Sequence, residues 1–185
     1  MVATRDQLLQ MHPTLLRPYY LRFDNLMLQR KLNYRITCVS RMAKEQMALY
    51  AQGRECWVNT NLYRSLAGLP KLEFDQAEYD KIVDTFPGVN KYVVTWTLKS
   101  FHVCDVDDGN PDNDLSRAFD IVMLDSYKKA TFDLKVDVDK DGVGDYLEAA
   151  KCGRDAGLVV GADFKNKKGQ PNPDYPHFQS AVAHG

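Results

Sequence analysis

Apolar residues in the first third of the chain recur at three- and four-residue spacing. Residues 15–32 place Leu, Tyr, Phe and Met on one face, which predicts an amphipathic helix. Residues 34–39 change to alternation with β-branched side chains, the mark of a strand. Residues 44–52 read as a helix stopped at Gly53, and 59–69 and 76–86 as two short helices, the second closed by Pro87-Gly88. Val and Thr enrichment predicts a strand over 92–98. A polar, aspartate-rich loop follows over 103–114. Beyond it, 117–124 and 131–136 predict strands, 146–156 a helix and 177–182 a final short strand. Strands and helices mix without βαβ alternation, so the expected fold is α+β, an antiparallel sheet flanked by helices. Neither an internal repeat nor a linker interrupts the pattern. The expectation is one domain over 1–185 with an inserted loop at 103–116.

Composition narrows this picture a little. A chain of 185 residues can bury a real core. A net charge of -1 gives no electrostatic reason to expect nucleic acid or an anionic membrane as partner. No apolar run approaches a membrane span, and the N-terminus shows no secretory signal. The expectation is a monomer made in the cytoplasm, with no membrane insertion. Cys38, Cys56, Cys104 and Cys152 form no CxxC pair and are expected as reduced thiols.

Two patterns point to metal ions. Residues 137–148 fit an EF-hand-like calcium loop at every ligand position. Asp137, Asp139 and Asp141 take the first, third and fifth positions, and Gly142 makes the sharp turn. Val143 offers its carbonyl, Asp145 is ninth and Glu148 is the bidentate twelfth. The preceding residues read as strand and Gly144 replaces the usual apolar eighth residue, so a solitary loop leading into one helix is expected. The acids at Asp105, Asp107, Asp112 and Asp114 lack this spacing and read as a solvated insertion.

The second pattern is dispersed. Of the four histidines, His12 and His184 read as solvated, while His102 and His177 lie beside expected strands. Asp120 sits inside the apolar stretch Ala118-Phe119-Asp120-Ile121-Val122, where an unpaired carboxylate is costly and a cation partner is expected. Two imidazoles and a carboxylate form a zinc set with its fourth position open. Spacing alone equally allows unrelated polar residues, with Asp120 paired to a lysine or arginine.

A family resemblance separates these readings. Arg41-Met-Ala-Lys-Glu-Gln-Met-Ala-Leu-Tyr-Ala-Gln-Gly-Arg54 resembles the Arg-Ser-x-x-x-Gln-x-x-Leu-Tyr-x-Gln-Gly-Arg segment of the zinc D,D-carboxypeptidase and L-alanyl-D-glutamate peptidase family, with the phage endolysin branch nearest. Ser100, His102, Ala118 and Asp120 match the family's Ser-x-His-x-x-Gly-x-Ala-x-Asp motif, and Asp174 and His177 match its late acid-x-x-His. His12-Pro13-x-Leu15-Leu16-Arg17-Pro18 and Gly161-Ala162-Asp163-Phe164 resemble flanking segments, so the likeness spans most of the chain in order. The chain departs in two places. Asp120 follows His102 by eighteen residues where the motif allows seven, and Ser116 stands in place of the motif's glycine.

The resemblance implies a zinc site on the sheet, held by His102, Asp120 and His177. Asp174 is the implied catalytic acid and base, Arg41 the group for a substrate carboxylate or oxyanion, and Ser100 a supporting residue. The implied function is a zinc-dependent peptidoglycan peptidase of endolysin type. Its substrate is the bacterial stem peptide, cut at the L-alanyl-D-glutamate bond once the enzyme is released to the wall, with calcium as structural or regulatory ion. The alternatives are a D-alanyl-D-alanine carboxypeptidase or dipeptidase, or a non-catalytic zinc and calcium binding domain of the same fold.

Overall fold

A computed structural model describes residues 2–95, 97, 100–104 and 114–182. In chain order it contains α1 (Arg5–Gln10), α2 (Arg17–Gln29), β1 (Tyr34–Cys38), β2 (Arg41–Met42), α3 (Ala43–Ala51), α4 (Trp57–Leu66), α5 (Gln76–Thr85) and β3 (Val103–Cys104). There follow β4 (Ala118–Leu124), β5 (Ala130–Thr131), α6 (Asp145–Ala156), β6 (Val159–Val160), a 3-10 turn Gly161–Asp163 and β7 (His177–Gln179). The fold is α+β, with helices against an antiparallel sheet. The chain folds as two compact units, Met1–Ser40 with Asp114–Gly185, and Arg41–Asn113.

The first unit carries the main sheet, in the order β1-β4-β7-β6 with β5 also beside β4. Every pairing in it is antiparallel. β4 is central because it is apolar on both faces apart from one residue. Period-2 alternation sends Phe119, Ile121 and Met123 into the core and turns Asp120 to the opposite face. In α2, Tyr20, Phe23 and Met27 recur at helical spacing and are wholly buried against that core. From α6 come Tyr146, Ala149 and Cys152. Phe119 and Phe178 stack with centroids 5.3 Å apart, and Phe23 lies 4.8 Å from Phe178. Truncating Phe178 to Ala would cost about 3–5 kcal/mol.

In the second unit, α3 packs on α4 and α4 on α5, around Leu72, Tyr79, Val83 and Tyr92. The Tyr79 hydroxyl accepts the Gly53 N–H at 2.8 Å, fixing the end of α3 to α5. α5 begins at Asp75, whose carboxylate accepts the Glu78 N–H at 2.8 Å. β2 and β3 pair in parallel.

Several expected elements change. The strand over 131–136 shrinks to Ala130–Thr131, because local side chains take the backbone donors. Thr131 Oγ1 accepts the Asp133 N–H at 3.1 Å, and Asp133 Oδ1 accepts that of Lys135 at 2.9 Å. The strand over 92–98 is absent among its described residues. Asn90 turns the chain instead, accepting Tyr92 N–H on its side chain and Val93 N–H on its carbonyl. The final strand ends at Gln179. His12, expected in solvent, is buried, and its Nδ1 accepts the Leu15 N–H at 3.2 Å. His184 and loop residues 105–113 lie outside the described residues.

Candidate metal centre

Three strands of the first unit bring a row of side chains together. Cys38 of β1 pairs with Asp120 of β4, and Asp120 pairs with His177 of β7. The Cys38 register depends on an irregularity in β1, where the step from Ile36 to Cys38 matches the single step from Ile121 to Asp120. Cys38 Sγ and an Asp120 carboxylate oxygen lie within 4.8 Å of each other. Composition places Cys38 only among the expected reduced thiols. Only strand register reveals its place.

His177 is buried, and both its ring nitrogens meet oxygen. Nδ1 is 3.0 Å from Asp120 Oδ1 and Nε2 is 2.8 Å from Gln179 Oε1. With the proton on Nδ1 the ring donates to the Asp120 carboxylate; with it on Nε2, donating to Gln179, Nδ1 offers a lone pair to a cation shared with Asp120. Two ligands of a tetrahedral zinc at about 2.0–2.1 Å stand roughly 3.3 Å apart, close to the observed spacing. Gln179 then serves as the outer partner that fixes the ring tautomer. An imidazole and a carboxylate are two donors of the kind zinc accepts.

Asp174 stands one turn before His177, whose N–H donates to the Asp174 carbonyl at 3.1 Å. The residue is exposed, and its own N–H donates to the Gly161 carbonyl at 2.8 Å. A Cβ at Gly161 would collide with the Asp174 carbonyl oxygen and stand 2.9 Å from His177 Cβ, so only glycine lets this turn close. Arg154 of α6 holds the same segment by a two-pronged contact with Asp163, at 2.8 and 2.7 Å. Ser116 has its own role: its buried hydroxyl lies 2.6 Å from the Val39 carbonyl and accepts the Ala118 N–H at 3.1 Å, tying the end of β1 to β4.

The other residues of the expected site belong to the second unit. His102 is 2% exposed and sits in the turn before β3. Ser100 Oγ accepts the His102 N–H at 3.3 Å, so this serine supports the histidine turn. The His102 carbonyl accepts the Arg41 N–H at 2.8 Å. Arg41 opens β2, and its guanidinium donates to Gln46 at 2.7 Å. Gln46 is buried and donates in turn to Thr95 Oγ1 at 3.1 Å, so the arginine is held from behind. Asp120, His177 and Asp174 are thus assembled in one unit, and Arg41, Ser100 and His102 in the other.

A separate acidic cluster lies at the start of α6. Ligand atoms of Asp137, Asp139 and Asp145 lie within 4.8 Å of one another, as do those of Asp139, Asp141 and Glu148. Gly142 takes φ 92° at the turn, and its N–H donates to Asp137 at 2.9 Å. Gly144 has no room for a side chain, because a Cβ there would strike the Leu134 carbonyl oxygen. That explains its departure from the usual apolar residue. Asp145 is 1% exposed. Burial, then the charges of Asp139, Asp137 and Asp141, raise its carboxyl above the ordinary range against the bond from Val138 N–H. Burial, then Asp141 and Asp139, likewise raise Glu148, although Arg30 pulls the other way.

No protein-family model matches the chain, and no curated protein matches it. Among solved structures, the Serratia marcescens L-Ala D-Glu endopeptidase ChiX is similar at a TM-score of 0.45 and 15% identity, over 98% of this chain and 89% of that one. Among the described residues no helix is long and apolar enough to cross a membrane.

Proposed function

We propose that this chain is a zinc-dependent peptidoglycan peptidase of the phage endolysin type, cutting the L-alanyl-D-glutamate bond of the stem peptide. The observation that carries the reading is the pairing of Asp120 with His177 across β4 and β7, with Asp174 one turn away. In the proposal His102 is the third ligand. Zinc in such a site supplies a Lewis acid and lowers the pKa of water to about 7.

The chain's own residues supply the rest. Asp174 takes a proton from the attacking water and returns it to the leaving amine. Arg41, oriented by Gln46, binds a substrate carboxylate or the developing oxyanion. Ser100 positions His102 through the turn it closes. A second ion, calcium, belongs to this reading at residues 137–148. The monomer reaches its wall substrate on release from the host cytoplasm.

Metal analysis of the purified chain should give one zinc. Mass spectrometry of digested peptidoglycan should show new alanine C-termini with free glutamate amines. Asp174→Ala should keep the zinc and lose hydrolysis by about 10²–10⁴-fold. Released D-alanine would instead identify a carboxypeptidase. Bound zinc without any cleavage would identify a non-catalytic domain, and a zinc-free protein would overturn the site itself.

A further inference from the structure

The acidic loop at 137–148 contains a feature that its spacing does not disclose. Glu148 is 8% exposed, and its Oε2 is buried with no hydrogen-bond partner. Its other oxygen, Oε1, meets Arg30 Nη1 at 3.4 Å, a long contact from a residue 118 positions away at the end of α2. Glu148 groups with Asp139 and Asp141, so the unpartnered oxygen belongs to a carboxylate of the loop's own cluster.

The loop is already turned for oxygen coordination. Asp137 and Asp139 each accept the Asp141 N–H at 3.2 Å, and Asp141 accepts the Val143 N–H at 2.7 Å. These bonds curl the aspartates inward, while Lys140 between Asp139 and Asp141 is exposed to solvent. Five carboxylates and a carbonyl make a hard, all-oxygen donor set. That suits calcium, which takes six to eight such ligands in flexible geometry, better than the smaller magnesium ion.

We infer that Arg30 is a built-in competitor for the calcium ion proposed at residues 137–148, holding Glu148 while the loop is empty and released when Glu148 turns both oxygens to the ion. This rests on the calcium half of the proposed function and is independent of the peptidase half. Arg30 opposes calcium in two ways, by occupying Oε1 and by placing a positive charge beside the loop. Its single long contact engages only Oε1 and leaves Glu148 Oε2 without a partner. Arg30 therefore tempers affinity without blocking the site. Binding exchanges one tie between α2 and α6 for several bonds within the loop.

Isothermal titration of calcium chloride into the 185-residue chain tests both parts without measuring wall hydrolysis. One site is expected, with magnesium binding more weakly. Glu148→Gln should weaken calcium by about tenfold or more. Arg30→Gln, at a partly exposed position, should tighten it by about three- to tenfold, the size of a modest ion pair. No binding at millimolar calcium overturns the calcium site. Calcium binding that Arg30→Gln leaves unchanged or weakens overturns the competitor role alone.

Discussion

Asp120 and His177 face each other across β4 and β7, a carboxylate and an imidazole held in one register. A carboxylate inside an apolar run advertises a partner, and strand register supplies it as an imidazole 3.0 Å away. Cys38 gave no such sign, because its place depends on one irregular step in β1. Gly161 was visible in the sequence only as part of a flanking segment. Its function is steric: the Asp174 backbone passes where a side chain would begin. Gly161→Ala must push that backbone away, at a cost of about 1–3 kcal/mol. For a chain of this size that lowers the melting temperature by roughly 2–12 °C. The same displacement moves His177, so in the proposed zinc enzyme the metal content of the purified variant should fall as well. Calorimetry and metal analysis check the two effects, and an unchanged melt would show that the turn relaxes freely.

Among the elements, the long amphipathic helices α2 and α6 were legible because many buried positions repeat one spacing. The strands expected over 92–98 and 131–136 were not, because Asn90, Thr131 and Asp133 take backbone donors locally, and β-branched content cannot report that. The short α1 also escaped, as its six residues carry little periodicity. What joins α1, α2 and β1 is a buried polar knot that no periodicity reveals. Asp24 accepts from the Tyr34 hydroxyl at 2.7 Å and from the Val2 N–H at 3.1 Å, while the Tyr20 hydroxyl accepts the Ala3 N–H at 2.9 Å. Tyr34→Phe removes a donor to a buried carboxylate and should cost about 1.5–3 kcal/mol at neutral pH. Burial, then the neighbouring Tyr20, push the Tyr34 hydroxyl well above the ordinary tyrosine range. In the unfolded chain it ionises near pH 10. A raised pKa of this kind leaves stability intact below about pH 10 and removes it as pH rises further. Denaturant melts from pH 8 to 11 should therefore decline above 10 in the parent chain and decline less in Tyr34→Phe. Parallel declines would show that other groups govern alkaline unfolding.

At the scale of the molecule, α6 joins two chemistries that the sequence presents separately. Its first turn carries Asp145 and Glu148 of the acidic loop, and its last turn carries Arg154. Twelve residues of helix separate these ends by about 18 Å. Arg154 grips Asp163, the Gly161–Asp163 turn accepts the Asp174 N–H, and Asp174 closes the turn to His177. The fold class was readable from pattern alone, whereas this linkage depends on contacts between segments far apart in sequence. Because the Arg154–Asp163 pair is half exposed, its worth to global stability is small, about 0–1 kcal/mol. Its effect should instead fall on the position of Asp174. Asp163→Asn keeps the shape of the side chain while removing the charge that holds Arg154. In the proposed enzyme it should leave zinc content and melting temperature nearly unchanged and lower kcat for stem-peptide cleavage several-fold, with KM little altered, because the group displaced handles protons rather than binding substrate. Steady-state kinetics on a synthetic stem peptide decide the matter. A change in KM with kcat intact would place the clamp in substrate binding, and parent-like kinetics would show that Gly161 holds Asp174 without help from the helix.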